Sequence, residues 1–150
     1  MLFRSIRPII CFAAWLSLGV DTTRAADEPG LPADNKFAAD IAQLHKNAER
    51  LYFQFKPKEA AAELQKILQA DGRNFEALIK LARAYIDIGD AIPENGSNWQ
   101  ERKLKEYSSA EDYARRALKL DPNSTWSHFW VAASIGSVAA VAPIAKQVEL

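Results

Sequence analysis

One arrangement of small and apolar residues occurs twice in this chain of 150 residues, and it leaves few folds open. Ala60, Leu64, Leu68 and Asp71 form the first copy; Ala110, Ala114, Leu118 and Asp121 form the second, 50 residues later. Steps of three and four residues put such side chains on one face of an α-helix. An alanine on that face lets a second helix approach where a larger side chain would hold it away. Nothing alternates with a period of two over a useful length, so no strand is expected. The chain reads as all-α, with short connections that make successive helices antiparallel neighbours.

Five helices follow from the spacing. Asp34 or Asn35 can cap the first. Phe37, Ile41, Leu44, Ala48, Leu51 and Phe55 then form one long apolar stripe. Lys56-Pro57 ends that helix, and Pro57 suits the first position of the second. Asp71-Gly72 stops the second, with Gly72 suited to a left-handed position. Asn74 can cap the third, which carries Ala77, Leu78, Leu81, Ala82, Tyr85 and Ile88 and is ended by Gly89-Asp90. Ser97 with Gln100 has the form of a capping box for the fourth, whose stripe is Leu104, Tyr107, Glu111, Ala114 and Leu118. Asp121-Pro122 ends it near Leu120. Ser124 can cap a fifth helix from Thr125 that fades before Pro143.

Residues 1–25 are set apart as an export signal. Arg4 and Arg7 give a positive start, residues 9–20 an apolar run of 12, and Thr23-Arg24-Ala25 the small residues that a signal peptidase reads. Cleavage is expected after Ala25, or else after Ala26. The competing reading is a membrane anchor, but a spanning helix needs ~20 apolar residues and Asp21 closes the run sooner. Residues 26–34, with two Pro and one Gly, read as a flexible leader. The expected address is periplasmic or secreted, with no stable membrane span after cleavage.

Charge and cysteine content exclude several functions. Lys+Arg and Asp+Glu are 19 each; removing residues 1–25 takes three basic and one acidic residue and leaves a net charge of −2. No basic excess points to nucleic acid. The single cysteine, Cys11, lies in the signal, so neither a disulfide nor a cysteine-based zinc site is expected. No Ser–His–Asp order, Gly-rich phosphate loop or carboxylate cluster is present, so no catalysis, cofactor or metal is expected.

The residues 78, 81, 82, 85, 110, 114, 117, 118 and 121–123 resemble the tetratricopeptide repeat, a 34-residue helix-turn-helix. Gly89-Asp90 takes the place of its turn. The resemblance implies a short right-handed α-solenoid over residues 35–150. Unit one is 41–74, unit two is 75–124 with a 16-residue insertion at 91–106, and 125–150 is a partial third. In that third unit Val131, Ala132 and Ile135 take the places of Leu81, Ala82 and Tyr85. Within 75–150, the elongated linker with Asp121-Pro122-Asn123, Trp126, His128, Trp130 and Gly136 resembles the regulator of microtubule dynamics group and its bacterial exported relatives. The signal peptide departs from the eukaryotic members and argues against carrying over a microtubule role.

Proteins of this kind are binding platforms, and their ligands lie in a groove lined by the first helix of each pair. That mapping gives His45, Glu49, Tyr52 and Phe53 from unit one. It gives Glu76, Ile79, Arg83, Ile86 and Asp87 from unit two, and Trp126 and Phe129 from unit three. A protein or peptide partner is expected, with aromatic anchors and Arg83 for a carboxylate. His45 is expected to pair with Glu49 on an exposed face, and Arg102-Lys103-Lys105 to be solvated. His128, between Trp126 and Trp130, packs on a core carbonyl, meets a partner, or acts as a base. Residues 131–145 carry no charge and would expose an apolar face. A truncated chain, a second subunit and a folded-back tail are the three accounts of that face. Docking of this helix to an envelope complex is the alternative function.

Overall fold

The computed structural model describes residues 33–142. It has five helices: α1 (Ala33–Phe53), α2 (Pro57–Ala70), α3 (Phe75–Asp90), α4 (Trp99–Leu120) and α5 (Thr125–Val141). Among the described residues there is no strand. The expectations for the export signal, for most of the leader and for residues 143–150 fall outside the described residues.

Each helix packs on the next, and α3 also meets α5. Direction follows from the contacts. Tyr85 stacks on Tyr113 at 5.4 Å between ring centroids, and Gly89 lies against Tyr107, so α3 and α4 run antiparallel. Between α1 and α3 the pairs are His45 with Glu76, Glu49 with Lys80 and Tyr52 with Arg83. Residue number rises on both sides, so these two helices run in the same direction.

Alanines set the spacing. Ala60 is 1% exposed and Ala110 0%. One apolar cluster joins α1, α2 and α3 through Ala48, Ala61, Leu64, Ile67, Ala77, Leu81, Ala84 and Ile88. A second joins α3, α4 and α5 through Ile86, Tyr107, Ala110, Val138, Val141 and Ala142. Tyr85 packs against both. Burying each large aliphatic side chain stabilises the fold by about 1.5–3 kcal/mol.

The two joints between helix pairs are near copies. After α2, Asp71 has φ −135° and ψ 90°; after α4, Asp121 has φ −136° and ψ 93°. In each, the aspartate Oδ1 accepts the N–H two residues on, from Arg73 at 3.1 Å and from Asn123 at 3.0 Å. Asn74 then caps α3, accepting from Ala77 N–H, and Ser124 caps α5, accepting from Ser127 N–H. Both caps match the sequence reading, as does Pro57 at the start of α2.

Several local expectations are corrected. The first helix starts at Ala33, so Asp34 and Asn35 lie within it rather than capping it. Among the described glycines only Gly96 has a positive φ, so Gly72 ends α2 without a left-handed turn. Ser97 and Gln100 form no capping box: Asn98 precedes α4 and makes no side-chain cap. On α4, Tyr107, Ala110, Ala114 and Ala117 are buried as the spacing and the repeat expect, while Leu104, Glu111 and Leu118 of the stripe are half-buried and Lys103 is buried unexpectedly. Lys103 is therefore not solvated; its Nζ pairs with Glu94 at 2.7 Å and sits over the Trp99 ring. The insertion thus builds the early turns of α4, where Trp99 and Leu104 pack toward α5. On α5, Ser127 and Ser134 are buried, whereas Ala132 is exposed and Val131 and Ile135 are half-buried. Trp126 and Phe129 stand in solvent at 63% and 51% exposure.

Candidate partner-binding cleft

The first helix of each pair supplies the cleft, and its polar floor is built by steps of three and four along both helices. Glu49 and Tyr52 on α1 face Lys80, Arg83 and Asp87 on α3. Arg83 Nε donates to Tyr52 Oη at 2.7 Å, and its guanidinium carbon lies 3.8 Å from the centre of the Tyr52 ring. Tyr52 Oη in turn donates to Asp87 Oδ2. Burial, then the Asp87 hydrogen bond and charge, push the Tyr52 hydroxyl above its ordinary pKa, with Arg83 opposing. Arg83 was expected to be free for a carboxylate; one edge and one face of its guanidinium are already committed to Tyr52.

Further along, Lys80 Nζ lies 2.7 Å from Glu76 Oε1 and 3.8 Å from Glu49 Oε1. The Lys80 hydrogen bond first, and the charge of His45 after it, hold the Glu76 carboxyl below its usual range although burial opposes them. His45 does not pair with Glu49 as expected. Its Nδ1 is 3.8 Å from Glu76 Oε1 across the helix interface and is buried with no hydrogen-bond partner.

Two adjoining hollows share Tyr52, Phe53 and Arg83. One is lined also by Ala48, Glu49, Ala60, Leu64 and Lys80. The other is lined also by Phe55, Pro57, Asp87, Asp90 and Ala91. Of the residues mapped from sequence, Glu49, Tyr52, Phe53, Arg83 and Asp87 therefore come together. His45 and Glu76 continue the same interface. Ile79 is half-buried and lines neither hollow. Ile86 is a correction: it is buried in the cluster with α4 and α5, because the helical turn from Asp87 points it to the opposite core. Trp126 and Phe129 sit edge to face on α5, 6.2 Å apart, and line neither hollow.

Sequence reasoning missed Phe55, Lys80 and Asp90. Lys80 was findable, since it lies four residues after Glu76 and three before Arg83. Phe55 was assigned to the buried stripe and is instead 94% exposed. The helix stops two residues sooner. Lys56 N–H reaches Leu51 O at 3.1 Å and Phe55 N–H reaches Tyr52 O at 2.9 Å, the double bond of a Schellman end. That end puts Phe55 at φ 58°, a left-handed position where glycine is favoured and a bulky residue costs roughly 1–2 kcal/mol.

Asp90 is held by the second pair. It accepts from Tyr107 Oη at 2.6 Å. Burial and this acidic partner push the Tyr107 hydroxyl far above its usual range. His128 lies elsewhere, its exposed ring 2.8 Å from the Pro122 carbonyl, which pins the start of α5 to its turn. Among the described residues no group of three or more His, Cys, Asp or Glu is placed to hold a metal, and no helix is long and apolar enough to cross a membrane.

Comparison with known proteins gives two findings. A family model described as Regulator of microtubule dynamics protein 1-3 matches residues 40–150. Bovine (Bos taurus) regulator of microtubule dynamics protein 1 is 28% identical over 134 residues, covering 86% of this chain and 39% of that protein.

Proposed function

The chain belongs to the regulator of microtubule dynamics protein 1-3 family, and from that premise we propose that it is a non-catalytic scaffold of tetratricopeptide-type helix pairs that binds a protein or peptide partner. The α1–α3 cleft carries this reading. Its floor is fixed by the Arg83–Tyr52–Asp87 relay, while Phe53 on its rim remains 75% exposed. A preorganised polar floor beside open aromatic rings is the make-up of a binding hot spot. The matching joints at Asp71 and Asp121, and the shared direction of α1 and α3 where their side chains meet, support the repeat reading.

The proposal extends to address. With residues 1–25 acting as a cleaved signal, the scaffold works in the periplasm or outside the cell, without a cofactor. The bovine relative's name concerns microtubules, but this chain spans 39% of its length, and an exported chain would not meet them. We therefore propose no microtubule partner.

A paired Tyr52→Ala, Arg83→Ala variant tests the reading in full-length tagged protein. Partners captured by the wild type should be lost from a variant whose helical circular dichroism is unchanged. An unchanged set of partners would remove the cleft from consideration.

One observation favours a second reading. The fifth helix buries serines and exposes Trp126 and Phe129, which suits docking to a larger envelope assembly through that helix. Light scattering that shows association, lost on Trp126→Ser, would favour it.

A further inference from the structure

The turn between α1 and α2 spends a constrained backbone position on a ring that almost nothing among the described residues covers. Phe55 is 94% exposed at φ 58°, and Phe53, two residues back, is 75% exposed. Glycine would close this turn more comfortably. Packing among the described residues therefore gives no reason for phenylalanine, whereas contact with a partner would.

The hollow beside these rings has a definite charge. Its lining includes Asp87 and Asp90. Neither makes an ion pair among the described residues; each accepts from a tyrosine hydroxyl, which satisfies an oxygen but leaves the charge. Arg83 is the cation that lines the hollow, and its Nε–H and flat face are turned to Tyr52. Two carboxylates against one guanidinium leave one negative charge in excess. Lys56 and Lys58, exposed on the same turn, do not line it, and their long stems carry their ammonium groups into water. Aromatic faces attract cations, and carboxylates hydrogen-bond them strongly.

We propose that this cleft docks a peptide segment that carries a lysine or arginine beside an apolar side chain. The cation lies between Asp87, Asp90 and the ring faces, and the apolar neighbour covers Phe53 and Phe55. This rests on the scaffold reading above and names the class of its partner.

The test uses the full-length protein and blocked decapeptides in which one leucine is fixed, its neighbour is Lys, Gln or Glu, and all other positions are mixed. Fluorescence anisotropy should show the Lys set binding about tenfold more tightly than the Gln set and the Glu set more weakly still. The gap should narrow as salt rises. Asp87→Asn with Asp90→Asn, which keeps both tyrosine hydrogen bonds, should erase the Lys preference. Phe55→Gly should weaken every set while raising the thermal midpoint, an opposition that a purely structural role cannot produce. Preference for Glu, equal binding of the three sets, or no binding by any of them would overturn the proposal. If the Tyr52/Arg83 variant still loses its captured partners in that case, the scaffold reading stands and only the basic partner falls.

Discussion

Phe55 and Gly89 stand 34 residues apart, at the same place in the sequence repeat, and the chain uses them in opposite ways. Phe55 is left-handed and open to solvent; Gly89 is helical and buried. The following segment explains the difference. After Phe55 the chain must reverse at once, because α2 begins at Pro57. After Gly89 it runs on through residues 91–98 before α4 begins, and the lengthened α4 lays Tyr107 over the missing side chain. The joints between pairs, by contrast, agree within a few degrees at Asp71 and Asp121. Spacing between pairs is thus held by joints of one kind, while the turns within pairs are free to diverge and carry the surface features.

The largest expected effect is at Gly89. A Cβ there would lie 2.8 Å from Tyr107 Cδ1 and closer to Cε1, and Tyr107 is held by Asp90. Alanine gains roughly 1 kcal/mol of helix propensity, but overpacking costs about 1–3 kcal/mol against a ring that cannot swing away. Gly89→Ala should therefore lower stability in urea titration, whereas Phe55→Gly at the matching place should raise it by roughly 0.5–1 kcal/mol. Equal signs at the two places would break the comparison.

Next come the joints. Asp71→Ala and Asp121→Ala each remove one side-chain hydrogen bond to the backbone, so each should cost about 0.5–1.5 kcal/mol. Asp71 Oδ2 also accepts from Asn74 Nδ2 at 3.2 Å, whereas Ser124 stands at the matching place after Asp121, so Asp71→Ala should cost more by up to roughly 1 kcal/mol; a larger cost at Asp121 in denaturant midpoints would contradict this reading of the joints.

The smallest effect is confined to alkaline solution. Tyr107 has its pKa raised from the model-compound value of 10.0 by burial and by Asp90. The unfolded chain therefore ionises first. The stabilisation is complete below pH 10 and is lost as pH rises through the folded value. Urea midpoints measured from pH 8 upward should fall above about pH 10. The fall should be shallower in Tyr107→Phe, and less altered in Tyr52→Phe, where Arg83 opposes the shift.

Much of the helical frame was legible because periodicity and caps are local signals. Asn74, Ser124 and Pro57 mark helix starts by chemistry that needs no tertiary partner. Positions set by approach between helices were not legible. Gly89 looks like a turn glycine until Tyr107 is placed over it, and Lys103 looks solvated until Glu94 is folded back from the insertion. The cleft was half legible for the same reason. The α1 and α3 faces follow from spacing, but the Arg83–Tyr52 contact and the reversal at Phe55 depend on how two helices meet and where one of them stops.

The side-by-side, same-direction pairing of α1 and α3 underlies the cleft, and chemical cross-linking tests it directly. In a Cys11→Ser background, paired cysteines at 45 with 76, and at 52 with 83, should be joined quickly by a flexible bifunctional reagent, since the side chains at these positions meet across the two helices. Cysteines at 45 with 83, and at 52 with 76, should react far more slowly, because each pair is displaced by a further seven residues, about 10 Å along the helix axis. Faster joining of the second two pairs than of the first would contradict the arrangement and the cleft built on it.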